Sequence, residues 1–518
     1  MDHYKQATFR SYVEILLDQL LQHAGQPVLR YRDADIDGRA LRASIFRYAR
    51  ALETFGIGRG SLVALFAPNC PAALAIHYAA NLLGAATMFL PAAAGADHRA
   101  TLLKRIRPAL LVAFAETAHL VPEDVGMRVV HVGTGLASMR LDYRASLQSA
   151  APLSSRARSG DLAMVASSGG STGVPKASLR SFAAYSAMVG ATPAPQRRQL
   201  VNGALAYLSQ VLVDQTLTGG GMVVLRPGFD AADTLATIES ERITDLLLVE
   251  PQLFETMDHP DARTRDLSSL RSLVHIGGSA PTVLLRRALE RFGPVLTHMY
   301  GASEAGLVSV LTPSDYLAHP AALESSGRVR DGVELRLRRA DGLLAAPGEC
   351  GRIEVKSASV AQGYRNQPVE TSLKFCGGWC VTGDVGRIDA HGYLHVLGRA
   401  TEVIEMGGMP VGPAQIEATL CALHQVRYAV AVSNDFPASS KVWNVLVMPW
   451  PGLSLNLALC RRVIELNCGR QVAEAVHLMT APGVPLTEQG KVDRAAIGRL
   501  ALAVADRTLP GQEAALGA

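Results

Sequence analysis

Short apolar runs alternate with segments of helical periodicity over the first four-fifths of the chain. The runs read as buried strands, and they are Leu62–Phe66, Leu110–Phe114, Val129–Val132, 162–166, Met222–Leu225 and 246–249. The helical segments include 41–55, 72–83 and 283–291. Alternation of this kind is typical of sheets that are covered by helices. The pattern therefore predicts a multidomain α/β fold, with a large N-terminal domain of helix-covered sheets.

The pattern changes twice towards the C-terminus. From residue 332 to 397 helical periodicity disappears and turn residues crowd together, which predicts a β-rich subdomain. After residue 399 a new α+β pattern begins, with strands predicted at 428–432 and 443–448 and a helix at 458–467. A chain of 518 residues is longer than one core usually serves. We predict an N-terminal domain over 1–398, a hinge at 399–402, a small C-terminal domain over 403–505 and a frayed tail over 506–518.

The stretch 62–91 is apolar enough to suggest a membrane span. Prolines and polar residues interrupt it, however, and they are Pro68, Asn69, Pro71, His77 and Asn81. A strand followed by a buried helix explains the pattern better. The N-terminus also lacks the basic and then apolar layout of a signal peptide. We expect a soluble, cytoplasmic protein with no membrane insertion.

Composition excludes several classes of function. Apolar residues make up 48% and charged residues 19%, as in an ordinary globular protein, and the net charge of +4 is too small to indicate a nucleic-acid partner. The seven cysteines have no repeated spacing and are typical of reduced cytosolic thiols. Three residues separate Cys376 from Cys380, and no second metal-ligating pair follows them, so we expect both to be structural.

The stretch from Ser167 to Lys176, Ser-Ser-Gly-Gly-Ser-Thr-Gly-Val-Pro-Lys, carries the strongest chemical signal. Glycines allow tight turns and close approach of backbone amides to a ligand, and hydroxyls and a lysine add donors for phosphate oxygens. It is not a Walker loop, because no Gly-Lys-Ser/Thr run is present. A Ser/Gly-rich linker is the alternative, but the preceding apolar run favours a loop delivered to a sheet edge.

This loop resembles the phosphate-binding signature of the acyl-adenylate-forming superfamily, which holds acyl-CoA synthetases, peptide-synthetase adenylation domains and beetle luciferases. Further segments resemble that superfamily in its order along the chain. They are Ile276-Gly-Gly-Ser-Ala-Pro281, Met299-Tyr-Gly-Ala-Ser-Glu304, Thr382-Gly-Asp384, Gly398-Arg-Ala-Thr-Glu402 and Gly490-Lys-Val-Asp-Arg494. The resemblance covers roughly residues 30 to 500 and implies an ATP-dependent enzyme that activates a carboxylic acid as acyl-AMP with release of pyrophosphate.

The resemblance also implies a role for particular residues. The nucleotide would be held by Ser168, Gly169, Gly170, Ser171, Thr172, Gly173, Lys176, Gly277, Gly278, Ser279, Tyr300, Gly301, Ala302, Ser303 and Asp384. Tyr300 would stack on adenine, Asp384 and Arg399 would hold the ribose, and Glu304 would place Mg²⁺. Glu402 would be the hinge pivot. Lys491 would enter the site for the first step, with Glu304 and Arg399 as its catalytic partners.

The sequence says less about the acceptor of the acyl group in the second step. Gly407 and Gly408 resemble the glycines that line the pantetheine tunnel of CoA ligases, so CoA is the expected acceptor of the acyl group. A carrier protein or an amine is the alternative acceptor, and a non-catalytic nucleotide-binding protein is a further alternative. Tyr207 and Ala302 are expected to line the acyl pocket.

Several positions depart from the superfamily's pattern. Gly169 replaces a usual serine, Ala177 a common glycine, and Thr401 a common lysine. The segment Ala204-Leu-Ala-Tyr207 replaces a frequent Pro-Leu-Phe-His, which places a tyrosine where a residue often gates the acyl pocket. These differences leave the identity of the carboxylic acid open.

Overall fold

The computed structural model describes residues 9–91, 95–123, 126–168, 176–190, 193–276, 281–406, 409–435, 441–487 and 490–505. The helices are α1 (Tyr12–Gln22), α2 (Gly38–Glu53), α3 (Pro71–Leu82), α4 (Ala96–Ile106), α5 (Leu141–Ser146), α6 (Phe182–Val189), α7 (Gln210–Thr218), α8 (Ala231–Ser240), α9 (Glu250–Asp258), α10 (Thr282–Phe292), α11 (Pro313–Ala318), α12 (Pro368–Lys374), α13 (Pro413–Cys421), α14 (Leu457–Cys468), α15 (Arg470–Ala475) and α16 (Arg494–Ala505).

The strands are β1 (Pro27–Tyr31), β2 (Ala34–Asp37), β3 (Leu62–Phe66), β4 (Ala86–Phe89), β5 (Leu110–Phe114), β6 (Val129–Val132), β7 (Leu162–Ser168), β8 (Lys176–Ser181), β9 (Arg198–Val201), β10 (Met222–Leu225), β11 (Asp245–Leu248), β12 (Ser272–Ile276), β13 (Leu296–Ala302), β14 (Gly306–Leu311), β15 (Arg328–Val329), β16 (Glu334–Arg338), β17 (Gly351–Lys356), β18 (Phe375–Cys376), β19 (Trp379–Ile388), β20 (Leu394–Arg399), β21 (Ile404–Met406), β22 (Met409–Val411), β23 (Val426–Asp435), β24 (Lys441–Pro449) and β25 (Val476–Thr480).

Two largely parallel sheets form the N-terminal part. The first sheet has the order β6-β5-β3-β4-β7-β8, and the second has the order β15-β14-β13-β12-β11-β9-β10-β1-β2. Helices α1, α2, α3, α6 and α7 contribute to a core that also contains side chains of both sheets. The strands β3, β4 and β5 are fully buried along their length, as uninterrupted apolar runs predict for parallel sheets. The predicted α/β fold is confirmed.

The predicted elements agree closely with the observed ones. The strands Leu62–Phe66, Leu110–Phe114, Val129–Val132 and Met222–Leu225 begin and end where the apolar runs do. The apolar stretch after residue 62 is β3, α3 and β4, so it is part of the core and not a membrane span. Within the described ranges, every helix is too short or too polar to cross a bilayer.

The β-rich region forms a third sheet, β16-β17-β19-β18, with β20 paired to β19. The predicted loss of helical periodicity does not exclude a helix, and one short helix occurs in this region. The helix α12, which has proline at its start, inserts between β17 and β18. Seven residues are too few for a periodic apolar pattern, and none of them is fully buried, so the sequence gives no helical signal there.

The C-terminal unit is built on a fourth sheet, β23-β24-β25, in which β23 and β24 are antiparallel and β24 and β25 parallel. One face of this sheet packs with α13, α14 and α15 in a core of its own around Trp443. The other face packs on α16 and on side chains of α9 and α10. Residues 400–403 lead into this unit from β20. That this segment works as a hinge stays a prediction.

All seven cysteines lie in the described ranges, and none of them is joined to another in a disulfide. Cys376 is exposed and Cys380 is buried on paired strands of the third sheet, and no group of three or more potential metal-ligating side chains occurs among the residues that the structure describes.

Candidate active site

Three of the sequence motifs begin at the carboxyl ends of β7, β12 and β13. The strands β12 and β13 are neighbours in the second sheet, and the Ser178 hydroxyl of β8 donates to the Ser303 carbonyl after β13, which links the two sheets here. Ligands of open α/β sheets bind at such edges. Residues Ser168 and Lys176 are paired across β7 and β8, so they form the base of the predicted phosphate loop. The Lys176 ammonium lies 5.5 Å from the centre of the Tyr364 ring.

Several predicted binding residues lie outside the described residues. They are Gly169, Gly170, Ser171, Thr172 and Gly173 of the phosphate loop, Gly277, Gly278 and Ser279 after β12, and Gly407 and Gly408 of the predicted pantetheine tunnel. Their roles therefore stay predictions.

A buried carboxylate, Asp384, joins two other predicted residues. The Tyr300 hydroxyl donates to Asp384 Oδ2 at 2.6 Å. The Arg399 Nε lies 3.2 Å from Asp384 Oδ1, because Asp384 and Arg399 face each other across β19 and β20. Burial raises the pKa of the Tyr300 hydroxyl well above its ordinary value, and the neighbouring Asp384 charge adds to this. Tyr300 is therefore a neutral donor that fixes the carboxylate in place.

Glu304 lies in the turn between β13 and β14 and is 8% exposed. It accepts hydrogen bonds from the hydroxyls of Tyr364, at 2.7 Å, and Ser303, at 3.1 Å. Burial disfavours its charged form, but the positive charge of Lys374 and the Tyr364 hydroxyl outweigh burial and lower the pKa of Glu304. Glu304 is thus held as a carboxylate, the form that a magnesium ion requires of a ligand.

The turn that carries Glu304 depends on Gly301. A β-carbon at Gly301 would lie 2.5 Å from the carbonyl oxygen of Gly306, so a larger residue would force the turn open. The pairing of β13 and β14 shifts register between Tyr300 and Gly301, after which Gly301 pairs with Leu307 and Ala302 pairs with Gly306. Irregular pairing of this kind re-aims side chains beside functional sites. The glycine of the motif is therefore explained by packing.

The structure adds two side chains that the motifs do not contain. Lys374 ends α12, and its ammonium donates to the Thr382 carbonyl at 2.7 Å. Burial lowers the pKa of Lys374, while the charge of Glu304 opposes this shift. Tyr364 bonds Glu304 from a position 60 residues away in the chain. A short exposed helix and an isolated tyrosine carry no local pattern, so only the tertiary contact identifies them.

Lys491 comes from the C-terminal unit and interacts electrostatically with Arg399 and His275 of the N-terminal part, and we call the space between these groups the cleft. The residue is exposed to solvent, yet the surrounding protein lowers its pKa and the positive charge of Arg399 lowers it further. Lys491 and Arg399, which are 92 positions apart in sequence, are thus brought into electrostatic contact.

The loop that carries Lys491 is fixed at both of its ends. The Thr487 amide donates to the Lys491 carbonyl at 2.6 Å, and the Gly490 amide donates to the Thr487 carbonyl at 2.9 Å. Gly490 has a φ of +71°, and a β-carbon there would lie 2.9 Å from the Gln252 amide nitrogen of α9. Glycine is therefore required for this turn to seat against the N-terminal part.

Glu402, the predicted pivot, begins the connection to the C-terminal unit. Its amide donates to the Arg399 carbonyl at 2.8 Å, and its carbonyl accepts the Trp443 indole N–H at 3.3 Å. The segment is thus tied to β20 on one side and to the core of the C-terminal unit on the other. Its function as a pivot stays a prediction.

A histidine pair lies beneath the cleft, and the sequence motifs do not contain it. His275 of β12 and His298 of β13 are directly paired, with their Nδ1 atoms 2.8 Å apart and their rings stacked. Burial lowers the pKa of His298 to about 4 and that of His275 well below its ordinary value, and the charges of His298 and Lys491 add to the shift of His275. Both rings are therefore neutral and share one proton between their Nδ1 atoms.

The segment that contains Tyr207 forms a π-helical turn, Leu205–Ser209, at the start of α7. Beneath it, Asp214 is fully buried and accepts hydrogen bonds from Tyr78, Tyr185 and Gln210 at 2.6–2.7 Å. Such π turns are strained and are often found at functional sites. The buried carboxylate anchors α7 from below, while the assignment of Tyr207 and Ala302 to an acyl pocket stays a prediction.

The chain is similar to a family of AMP-binding enzymes and to CoA ligases. A family model described as AMP-binding enzyme matches residues 16–365. A medium/long-chain-fatty-acid–CoA ligase from Mycobacterium tuberculosis is 29% identical, over 93% of this chain and 89% of the relative. A feruloyl-CoA synthase from Amycolatopsis sp is 28% identical, over 89% of this chain and 92% of the relative.

A solved structure is similar over a comparable length. The amide bond synthetase McbA from Marinactinospora thermotolerans superposes with a TM-score of 0.85 at 28% identity, over 94% of this chain and 99% of that chain. The family match covers well over half of the chain and includes the elements that carry Lys176, Tyr300 and Glu304. The motifs, the fold and these matches agree: the chain belongs to the AMP-binding enzyme family, within the acyl-adenylate-forming superfamily.

Proposed function

We propose that this enzyme activates a carboxylic acid with ATP and transfers the acyl group to CoA. The observation that carries the proposal is the convergence of Lys491, from the C-terminal unit, with Arg399 and the Asp384–Tyr300 pair of the N-terminal part. A nucleoside triphosphate has phosphates that need positive charge, ribose hydroxyls that a carboxylate such as Asp384 can accept, and a bound cation that a carboxylate such as Glu304 can hold. The curated relatives that act as CoA ligases support the same chemistry.

In the first step a carboxylate oxygen of the acid attacks the α-phosphorus of ATP. The bond from that phosphorus to the bridging oxygen breaks, and pyrophosphate leaves with the electron pair. Lys491 would stabilise the charge that develops on the α-phosphate. Lys176, which pairs with Ser168 at the base of the predicted phosphate loop, would hold the β- and γ-phosphates. Positioning and charge neutralisation are the main needs of this reaction.

Magnesium would be held by Glu304 together with phosphate oxygens of the nucleotide. A single protein carboxylate suits this cation, which often keeps water and substrate oxygens as its other ligands. Glu304 is ionised and already oriented by Tyr364 and Ser303. The metal would supply neutralisation of the triphosphate charge.

In the second step the sulfur of CoA attacks the acyl carbon of the adenylate. The bond to the AMP oxygen breaks, the thiol proton is released, and a thioester and AMP result. Gly407 and Gly408 are the residues proposed to line the path of the pantetheine arm. A free-standing carrier protein, which presents the same thiol chemistry, is an alternative acceptor.

Amide formation is the second candidate function. The similarity to an amide bond synthetase extends over nearly the whole chain and equals in identity the similarity to the CoA ligases. In that case an amine nitrogen would attack the same acyl carbon. The relatives act on fatty and aromatic acids, so both classes belong in the substrate test.

Products identify the acceptor directly. The protein is incubated with ATP, Mg²⁺ and aliphatic, aromatic and cyclic acids, with and without CoA or a simple amine, and the products are detected by mass spectrometry. We expect acyl-CoA, AMP and pyrophosphate with at least one acid. An adenylate that accumulates regardless of CoA, or an amide in its place, would contradict CoA as acceptor. Formation of ADP would contradict adenylation.

Lys491 provides a test of the first step. Replacement Lys491→Ala should lower the rate of ATP–pyrophosphate exchange by about 10²–10³-fold, as for loss of an oxyanion-hole donor. Transfer from chemically prepared acyl-AMP to CoA should remain largely unchanged. Lys356→Ala, which removes an exposed lysine of the third sheet, is the matched control and should leave both steps at wild-type rates. Equal loss in both steps would show that Lys491 has no selective role in adenylation.

Lys374 provides a test of the charge balance around Glu304. Its ammonium lowers the pKa of Glu304, so Lys374→Met should raise that pKa. Because the folded-state pKa of Glu304 is depressed, its carboxylate is lost as the pH falls. The variant should therefore lose ATP–pyrophosphate exchange at a higher pH than wild type, whereas Lys356→Met should not. An unshifted acid limb in the pH profile of Lys374→Met would refute this role.

A further inference from the structure

Arg180, in β8, is a buried arginine whose charge is not paired within the described part of the chain. Its Nε donates to the Ser359 carbonyl at 3.1 Å, but neither Nη group has an acceptor there, and the side chain forms no ion pair with a described carboxylate. The residue is 3% exposed. Neither Nη group belongs to the polar atoms that are both sealed from solvent and unpaired, so a narrow opening reaches them. Most donors of this guanidinium are therefore available to a ligand.

The unpaired charge of Arg180 is unfavourable in this position. An arginine keeps its charge in proteins, so its burial without a counter-ion is costly. Burial lowers the pKa of Arg180, and the charge of Glu304 only partly offsets this. Both oxygens of Glu304 are already engaged, Oε1 by the Tyr364 hydroxyl and Oε2 by the Ser303 hydroxyl. A negatively charged ligand that reached Arg180 would therefore compensate a buried charge.

The position of Arg180 on β8 separates it from the phosphate loop. Lys176, at the base of that loop, lies four residues earlier on the same strand, which places the two Cα atoms about 13 Å apart. Ser178 lies between them, and its hydroxyl donates to the Ser303 carbonyl at 3.3 Å. Arg180 thus lies further from the loop end of the first sheet than either of these residues.

One neighbour of Arg180 is the segment that is expected to bind the acyl group. Arg180 is paired directly with Met164 across β7 and β8, so both side chains lie on the same face of the first sheet. Met164 belongs to the same core as Leu205 and Ala206 of the π-helical turn. That turn also contains Tyr207, which the resemblance to the superfamily assigns to the acyl pocket.

A second neighbour of Arg180 is the turn between β13 and β14. Ser359, whose carbonyl accepts the Arg180 Nε–H, packs against Gly306 of this turn. Gly306 has a φ of +76°, and a β-carbon there would lie 2.5 Å from Ser359 Oγ, so a larger residue would displace Ser359. Gly306 pairs with Ala302, the other residue assigned to the acyl pocket. Arg180 therefore borders both segments that are expected to line this pocket.

We propose that Arg180 is a specificity-determining residue of the acyl pocket, and that its Nη groups bind a second carboxylate of the substrate, remote from the carboxyl group that reacts with ATP. The substrate class is then a dicarboxylic acid. A planar guanidinium matches a carboxylate through two parallel hydrogen bonds, which an acid with an apolar end cannot form. The inference rests on the proposed adenylation, because it concerns the acid that the same site activates.

Pairs of acids that differ at one end only test this assignment. ATP–pyrophosphate exchange is measured with succinate and butanoate, adipate and hexanoate, suberate and octanoate, and terephthalate and 4-methylbenzoate. We expect kcat/KM for at least one dicarboxylate to exceed that of its methyl-ended partner by about 10–100-fold, as for a hydrogen bond to a charged group. Exchange that is equal or faster with the methyl-ended acid in every pair would overturn the proposal.

Two variants of Arg180 identify the group that makes the distinction. Arg180→Met removes the charge and should abolish the preference through a higher KM for the dicarboxylate, without a parallel rise in the KM for the methyl-ended acid or for ATP. Arg180→Lys keeps a charge without the planar guanidinium, so the preference should fall but not vanish, which keeps the test open where Arg180→Met does not fold. Arg352→Met, at an exposed position of β17, is the matched control and should keep the wild-type preference.

Three results with these variants would contradict the assignment. The first is a wild-type preference that persists in Arg180→Met, and the second is an unchanged preference in folded Arg180→Lys. The third is a KM for ATP that rises equally with every acid in Arg180→Met, because Arg180 would then hold a phosphate of the nucleotide and not a carboxylate of the acid.

Calorimetric titration of the same acids, in the presence of AMP and without turnover, separates this inference from the proposed reaction. We expect one dicarboxylate to bind wild type at least about tenfold more tightly than its methyl-ended partner, and both acids to bind Arg180→Met alike. Equal binding of the two acids to wild type in every pair would overturn the role of Arg180. Selective binding without exchange by any acid would support that role and contradict adenylation.

Discussion

The carboxylate of Asp384 connects the parts from which the site is built. It accepts the hydroxyl of Tyr300 from the second sheet and pairs with Arg399 at the end of the third sheet. Arg399 immediately precedes the segment that leads to the C-terminal unit. A buried carboxylate that lost one of these partners would be costly, so the two sheets and the start of the connection are held in one arrangement.

Around that carboxylate, positive charges exceed negative ones. Burial lowers the pKa of Lys374 and that of Lys491, and the positive charge of Arg399 lowers both further. Such a cleft is destabilising when empty and favours a ligand that carries several negative charges. A triphosphate is a ligand of this kind. Lys491 comes from the C-terminal unit, so the placement of that unit controls how positive the electrostatic potential in the cleft is.

Local patterns in the sequence are sufficient for much of the fold. Fully buried strands such as Leu62–Phe66 appear as uninterrupted apolar runs, since both of their faces are covered. The glycines on the turns of the site are likewise visible in the sequence, because the nearby Gly306 carbonyl leaves no room for a side chain at Gly301 and the φ of +71° at Gly490 favours glycine. What the sequence does not reveal depends on pairing across long distances. The Tyr364 hydroxyl donates to Glu304, and His275 contacts His298, only because the fold brings these distant residues together.

Transfer of isotope from the acid to the nucleotide is the most direct test of the central claim that the cleft forms an acyl-adenylate. An accepted acid is labelled with ¹⁸O in its carboxyl group, and AMP is analysed by mass spectrometry after a complete turnover. Attack of the carboxylate on the α-phosphorus predicts one ¹⁸O atom in the phosphoryl group of AMP. Label in orthophosphate or pyrophosphate, with none in AMP, would contradict the account.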